Sequence, residues 1–275
     1  MIKTTVAVVF AAAVISTSYA DDIEADFEIR NLEKNDAPFA QKFFISGDKI
    51  NMQFFSNDKQ GSMIFRGDKS LLWVMNLQKK EYLEINKETI VQLGQSVDLA
   101  MAQLKARMSA LSPEQRAMVE KMMNGQLDQL QAGPGKANLL SFKKTGVKKT
   151  INGYACEQYD VFSGTDKIRE MWITGWKNMD DFKDAMTAFD AMEKFFKTML
   201  ESLKNSPLAN LIDNPYSYTT ELNGFPIVST EIKNNVPVTE TVLKSVQRKT
   251  LTNDIFVPPA DFKANTTMFK QPSSK

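Results

Sequence analysis

The chain has 275 residues, 43% of them hydrophobic and 24% charged, with 34 basic against 33 acidic side chains, one cysteine and no histidine. That length allows one large or two small domains, and the ordinary apolar fraction with few Gly (12) and Pro (10) excludes disordered and collagen-like classes. Without imidazole there is no Ser-His-Asp or Cys-His nucleophile system and no His-ligated zinc or iron, and a lone Cys forms no intrachain disulfide.

Residues 1–20 carry one charge at Lys3, an apolar run from Val6 to Ile15, and small and polar residues ending Ser18-Tyr19-Ala20. These three regions predict a cleavable export signal cut between Ala20 and Asp21, and a periplasmic product of the general export pathway. A transmembrane anchor needs about 20 apolar residues, roughly twice this run. No later stretch is apolar for long enough, and no Cys follows the cleavage site to take a lipid. Removal of the leader takes away Lys3 alone, leaving as many basic as acidic residues. A balanced chain offers no general basic face for nucleic acid. The clusters Lys143-Lys144 and Lys148-Lys149 read as a solvated strand face.

After Asp21 the first elements are strand-length runs: Gln41–Ile45, Ile50–Phe55, Gly61–Phe65, Leu71–Met75 and Glu81–Ile85, with hairpin-length connections. Ile50, Met52 and Phe54 share one face and Asn51 and Gln53 the other, so the meander is apolar on one side. From Lys87 the period changes. Val97, Met101, Leu104, Met108 and Leu111 recur at helical steps, and Ser112-Pro113-Glu114-Gln115 is a capping box that starts a second helix to about Leu130. Strands resume at Leu140–Ile151, turn at Asn152-Gly153, and continue at Tyr154–Phe162 and Ile168–Thr174. A third helix is expected over 178–204, with Phe182, Met186, Phe189, Phe196, Met199 and Leu203 along its apolar stripe. Two strands, Gly224–Lys233 and Val236–Gln247, follow around an Asn234-Asn235 turn, and 266–275 is a loose polar tail.

The order strands, helices, strands, helix, strands contains no βαβ alternation. It predicts an α+β domain over 21–265: one curved antiparallel sheet of about eight to ten strands, with helical insertions at about 87–130 and 178–204 covering its apolar face. A division near residue 135 is the competing organisation.

Nine of the 15 methionines fall in the predicted helices. Two readings of those Met/Phe stripes stand side by side, ordinary core packing and an adaptable lid over an apolar cavity. Cuprous-ion ligation by Met118, Met122 and Met123 lacks a supporting His or second Cys. Cys156 has no imidazole to activate it and reads as a small buried residue. Arg66-Gly67-Asp68 matches an adhesion tripeptide but sits where a turn needs Gly-Asp. Asp180, Asp181 and Asp184 complement a helix dipole. Ser141 and Lys144 have Ser-x-x-Lys spacing on a strand, which separates them, whereas that dyad works on a helix. No catalytic residue, metal site or cofactor is therefore assigned. Trp73, Trp172 and Trp176 fit core packing as well as a pocket wall.

Several segments together resemble a family of bacterial envelope proteins of unknown function, related in pattern to the periplasmic lipoprotein carriers (LolA-like). They are Ile45-Ser46-Gly47-Asp48-Lys49-Ile50-Asn51-Met52, Met63-Ile64-Phe65-Arg66-Gly67-Asp68-Lys69 leading to Trp73, Leu111–Arg116, Ile151–Cys156, Met171–Thr174 and the closing Phe256–Lys263. The resemblance implies a half-open antiparallel barrel plugged by helices and holding acyl chains or another apolar ligand. Its implied role is non-catalytic binding of lipid or a hydrophobic small molecule, with a structural or interaction module docking an envelope protein as the alternative. The candidate cavity residues are Phe43, Met52, Phe54, Trp73, Met101, Leu104, Met108, Trp172, Met186, Phe189 and Phe196.

Overall fold

A two-residue alternation builds the sheet. In β1 (Asp22–Asn31) Ile23, Ala25 and Phe27 point to one face and Glu24, Asp26 and Glu28 to the other. The same alternation orders β2 (Phe39–Ser46), β3 (Lys49–Phe55), β4 (Gln60–Arg66), β5 (Leu71–Asn76) and β6 (Glu81–Ile85). After α1 (Lys87–Ser109) come β7 (Leu140–Ile151), β8 (Tyr154–Ser163), β9 (Asp166–Gly175), α2 (Ala185–Ser202), β10 (Gly224–Lys233), β11 (Val236–Lys249) and β12 (Lys263–Ala264). The computed structural model describes residues 22–34, 36–55, 60–112, 140–182, 184–203 and 221–265, with 114, 115, 118 and 218.

The strands form one curved, unclosed sheet in the order β12-β6-β5-β4-β3-β2-β1-β11-β10-β9-β8-β7. Every pairing is antiparallel except the short β12, which runs parallel to β6. This is the α+β half-barrel that the sequence implied. Its hairpins close on left-handed turn residues where the sequence provides them: Asn152 and Gly153 have φ of 49° and 85°, Asn234 and Asn235 of 51° and 62°.

Among the described residues the sheet has twelve strands rather than eight to ten. The most consequential addition is β1, which lies mid-sheet, hydrogen-bonded to β2 on one side and β11 on the other. Strands from before and after residue 135 thus belong to one sheet. The third predicted helix also starts later than expected, at Ala185 instead of 178. Before it, two 3₁₀ turns at Trp176–Asn178 and Asp180–Phe182 place Trp176, Met179 and Phe182 inward, a three-residue step that matches 3₁₀ and not α periodicity.

The core sits between the inner face of the sheet and α2. Ile23, Phe43, Ile45, Ile50, Met52, Phe65 and Leu72 meet Ala185, Ala188, Phe189 and Met192 there. At its centre Phe189 contacts Phe225 at 5.4 Å between ring centroids, Phe182 at 6.0 Å and Trp176 at 6.3 Å. The outer face has its own apolar patches. One, Ile64, Trp73 and Met75, is covered by the C-terminal segment through Phe256. The other, Val161, Met171 and Ile173, lies beneath Tyr218 and Leu222. Asn51 ties the C-terminal segment down, donating from Nδ2 to the Ile255 carbonyl at 2.6 Å and accepting from Ser62 Oγ at 2.7 Å.

On the same outer face Glu24 accepts from both Lys42 and Lys249, beside Asp26, which bonds Lys42 at 3.0 Å. The Lys249 ammonium, and then that of Lys42, hold the Glu24 carboxyl below its ordinary value against the opposing cost of burial. The helix start at Ser112 forms its reciprocal cap, Ser112 and Gln115 each accepting from the other's backbone N–H. The rest of the predicted second helix, with Met122 and Met123, the predicted leader with Ala20 and Asp21, and residues 266–275 lie outside the described residues.

Candidate functional site: an apolar groove between the helices and the sheet

One helix start, the end of a second helix and one tight turn make the groove. Asn86 caps α1, its Oδ1 accepting from the Thr89 N–H at 2.9 Å while Thr89 Oγ1 accepts from the Asn86 N–H at 2.8 Å. That cap directs the first turn of α1 against the C-terminal half of α2, where Ile90, Met199 and Leu203 are buried together. The third wall is the β4–β5 connection. Gly67 lets it lie close to the β2–β3 turn: a Cβ there would sit 2.8 Å from the Asp48 carbonyl oxygen, and the Gly67 N–H donates to that oxygen at 3.0 Å. Arg66 then grips Asp68 through two hydrogen bonds of 2.7 and 2.6 Å, which holds the Asp68 carboxyl below its usual value. The Arg-Gly-Asp tripeptide is thereby a structural turn, as its sequence setting suggested.

Between these walls is a cavity of about 370 Å³, within the range of roughly 300–1,000 Å³ typical of small-molecule sites. Its floor is apolar and buried: Phe65, Ile90 and Met199, with half-buried Phe195, whose ring lies 5.6 Å from that of Phe65. Along α2 two parallel rows face it, Ala191, Phe195 and Met199 at four-residue steps, and Lys194, Thr198 and Ser202 likewise. The rim is polar, with Ser70, Lys87, Lys194 and Thr198 exposed. No acidic residue lines it among the described residues. A larger hollow of about 570 Å³ on β7–β9 is more polar, bordered by Lys148, Lys149, Glu157, Tyr159 and Lys177 together with Ile173 and Leu222.

None of the eleven candidate residues from the sequence lines the 370 Å³ cavity. Phe43, Met52 and Phe189 are buried in the main core. Met186 and Trp172 pack half-buried at the margin of that core, with the Lys149 ammonium 5.9 Å from the Trp172 ring centre. Phe54 lays its ring over Gly61, where a Cβ would approach it to 2.2 Å. Trp73 is a correction of side: it faces outward beneath the C-terminal segment, its indole N–H donating to Glu84 at 2.9 Å, because strand alternation puts it opposite Leu72. Met101, Leu104 and Met108 are half-buried on the distal half of α1 and join none of the apolar clusters among the described residues. Phe196 alone borders the groove, packing against Ile90, Met199 and Leu203. Its neighbour Phe195 lines it instead. The signal that would have found this wall is the four-step row from Ala191 to Met199.

Cys156 is buried, and desolvation pushes its thiol above the ordinary value. Lys144 is held by Glu157 at 2.6 Å, away from any nucleophile role. Among the described residues no three His, Cys, Asp or Glu groups cluster as metal ligands, and no helix is long and apolar enough to cross a membrane.

A family model for a domain of unknown function (DUF4412) matches residues 92–262, which is more than half of the chain. The chain belongs to the DUF4412 family. The matched span of this DUF4412 protein includes the α2 wall of the groove, and leaves Phe65, Lys87 and Ile90 before it. No curated protein matches the chain. An uncharacterized conserved protein from Thermus thermophilus is similar in structure at 6% identity and TM-score 0.44, covering 90% of each chain. The Pseudomonas aeruginosa MucA/MucB complex matches at 8% identity and TM-score 0.35, over 88% of this chain and 58% of that one. A LolA superfamily protein from Nitrosomonas europaea, NE2245, matches at 7% identity and TM-score 0.27, over 86% and 90%.

Proposed function

We propose that this DUF4412 protein is a non-catalytic periplasmic binding protein that holds a lipid or another apolar ligand in the groove between α1, α2 and the β4–β5 connection. The observation that carries this reading is the groove itself: about 370 Å³ with a buried floor of Phe65, Ile90 and Met199 and an exposed polar rim. A hydrocarbon placed there exchanges water for apolar contact at about 25 cal/mol per Å². The periplasmic assignment is supported by the export-signal pattern of residues 1–20.

The test is native mass spectrometry of the protein purified from its own periplasm, before and after organic extraction, with an apolar dye as a second probe. A bound mass removed by extraction, and dye fluorescence gained by the extracted protein, are the expected results. A consistently empty protein that gives no dye signal overturns the reading. In that case a co-purifying envelope protein would favour the interaction-module alternative.

A further inference from the structure

Among the described residues the rim of the groove carries charge of one sign only. Lys87, the first residue of α1, and Lys194, in the polar row of α2, both line it and neither is ion-paired among the described residues. Ser70 adds a neutral exposed hydroxyl, and the side chains of Thr198, Ser202 and Asn86 are committed. Thr198 Oγ1 donates to the Lys194 carbonyl and Ser202 Oγ to the Thr198 carbonyl, each at 2.9 Å. The Asn86 amide donates to Glu84 Oε1 at 2.9 Å and its Oδ1 accepts from Thr89. Two ammonium groups are therefore left as the strong donors over an apolar floor, with no carboxylate in the described lining to neutralise them.

We propose that the groove selects anionic amphiphiles, whose carboxylate or phosphate head sits at Lys87 and Lys194 while the hydrocarbon lies on Phe65, Ile90, Phe195 and Met199. This inference rests on the reading of the groove as an apolar-ligand site, and adds the charge of the ligand. Exposed ion pairs strengthen binding by about two- to fivefold each. Two of them give a preference of about tenfold for an anion over a neutral molecule of the same chain, and salt screens it.

The experiment displaces a neutral naphthylamine dye from the extracted full-length mature protein with oleate, with oleoyl-lysophosphatidate and with oleyl alcohol, for the native chain and for Lys87→Gln, Lys194→Gln and the double variant. At least one anion is expected to bind about tenfold more tightly than the alcohol at about 0.05 M salt, with the gap narrowing toward about 0.5 M and closing in the double variant. Tighter oleate identifies a free carboxylate as the partner chemistry, and tighter lysophosphatidate a phosphate headgroup. Equal binding of the alcohol and both anions by the native chain overturns the charge inference while leaving the apolar site standing, as does a gap that survives the double substitution. Failure of dye and all three ligands to bind overturns the groove reading itself. The salt series on the native chain needs no variant to fold.

Discussion

Replacing Phe189 by Ala tests whether α2 is core or lid. Its side chain is 1% exposed and contacts three rings, of Phe225, Phe182 and Trp176, at 5.4, 6.0 and 6.3 Å. Burying such a side chain is worth roughly 1.5–3 kcal/mol, and aromatic pairing adds about 0.5–1.5 kcal/mol. With the cavity left behind, the loss belongs in the upper part of the measured range of about 3–5 kcal/mol for Phe→Ala. Met186, one turn earlier and half-buried at the margin of the core, is the internal control, and Met186→Ala should cost about half as much or less. Urea titration followed by far-ultraviolet circular dichroism would show a lower midpoint at unchanged slope for Phe189→Ala. Heating would show a fall of about 8–20 °C, at roughly 2–4 °C per kcal/mol for a chain of this size. A loss below about 1 kcal/mol, no larger than for Met186→Ala, would refute the assignment of this helix half to the core and restore the view of it as a lid.

Asn51→Ala should cost about 2–4 kcal/mol, because it removes two hydrogen bonds and strands Ser62 Oγ and the Ile255 carbonyl. A double-mutant cycle with Ser62→Ala should return a coupling of about 0.5–2 kcal/mol; strict additivity would contradict the pairing. Glu24 gives a pH signature. Folding lowers its pKa, chiefly through the Lys249 hydrogen bond, so its stabilisation is complete at neutral pH and is lost as pH falls through the folded-state value. Stability curves of the native chain and Glu24→Gln should converge toward low pH, and a constant offset down into the acid range would count against the cluster. Cys156 should resist alkylation in the native state and react fully in denaturant, given its burial and raised pKa. Rapid native labelling would show that β8 does not turn this side inward.

Much of the sheet was legible because its signals are local. The Asn152-Gly153 and Asn234-Asn235 turns need left-handed backbone, and the alternating strands on either side carry their register in a two-residue period. β1 is just as regular, with Ile23, Ala25 and Phe27 against Glu24, Asp26 and Glu28, but the Asn31 turn at its far end, whose side chain accepts from the Glu33 and Lys34 N–H groups, does not say which strand it pairs with. Its place between β2 and β11 depends on pairings more than 200 residues apart in sequence with Val246 and Leu243, which no local pattern encodes. The 3₁₀ turns before α2 were hidden because Trp176, Met179 and Phe182 fit a helical stripe nearly as well as a three-residue one.

The site was less legible than the fold for a related reason. Large apolar residues at helical spacing announce burial without saying against what, so Phe189 and Met52 were equally good candidates for cavity and core. The groove forms where packing stops: where the short first turn of α1, fixed by the Asn86 cap, meets the end of α2 beside a turn held down by Gly67. Its polar row, Lys194, Thr198 and Ser202, reads in sequence as an ordinary solvated helix face. Trp73 shows the same limit from the other side, since its burial was foreseeable but the segment that buries it, through Phe256, lies far along the chain.

The most direct test of the account is to map where a ligand goes. A fatty acid carrying a photoactivatable diazirine in its chain, bound to the extracted protein and irradiated, should attach to peptides containing Ile90, Phe195 and Met199, and an excess of unlabelled oleate should abolish the attachment. Specific, competable labelling confined to the polar hollow of β7–β9, or to the outer face around Trp73, would contradict it.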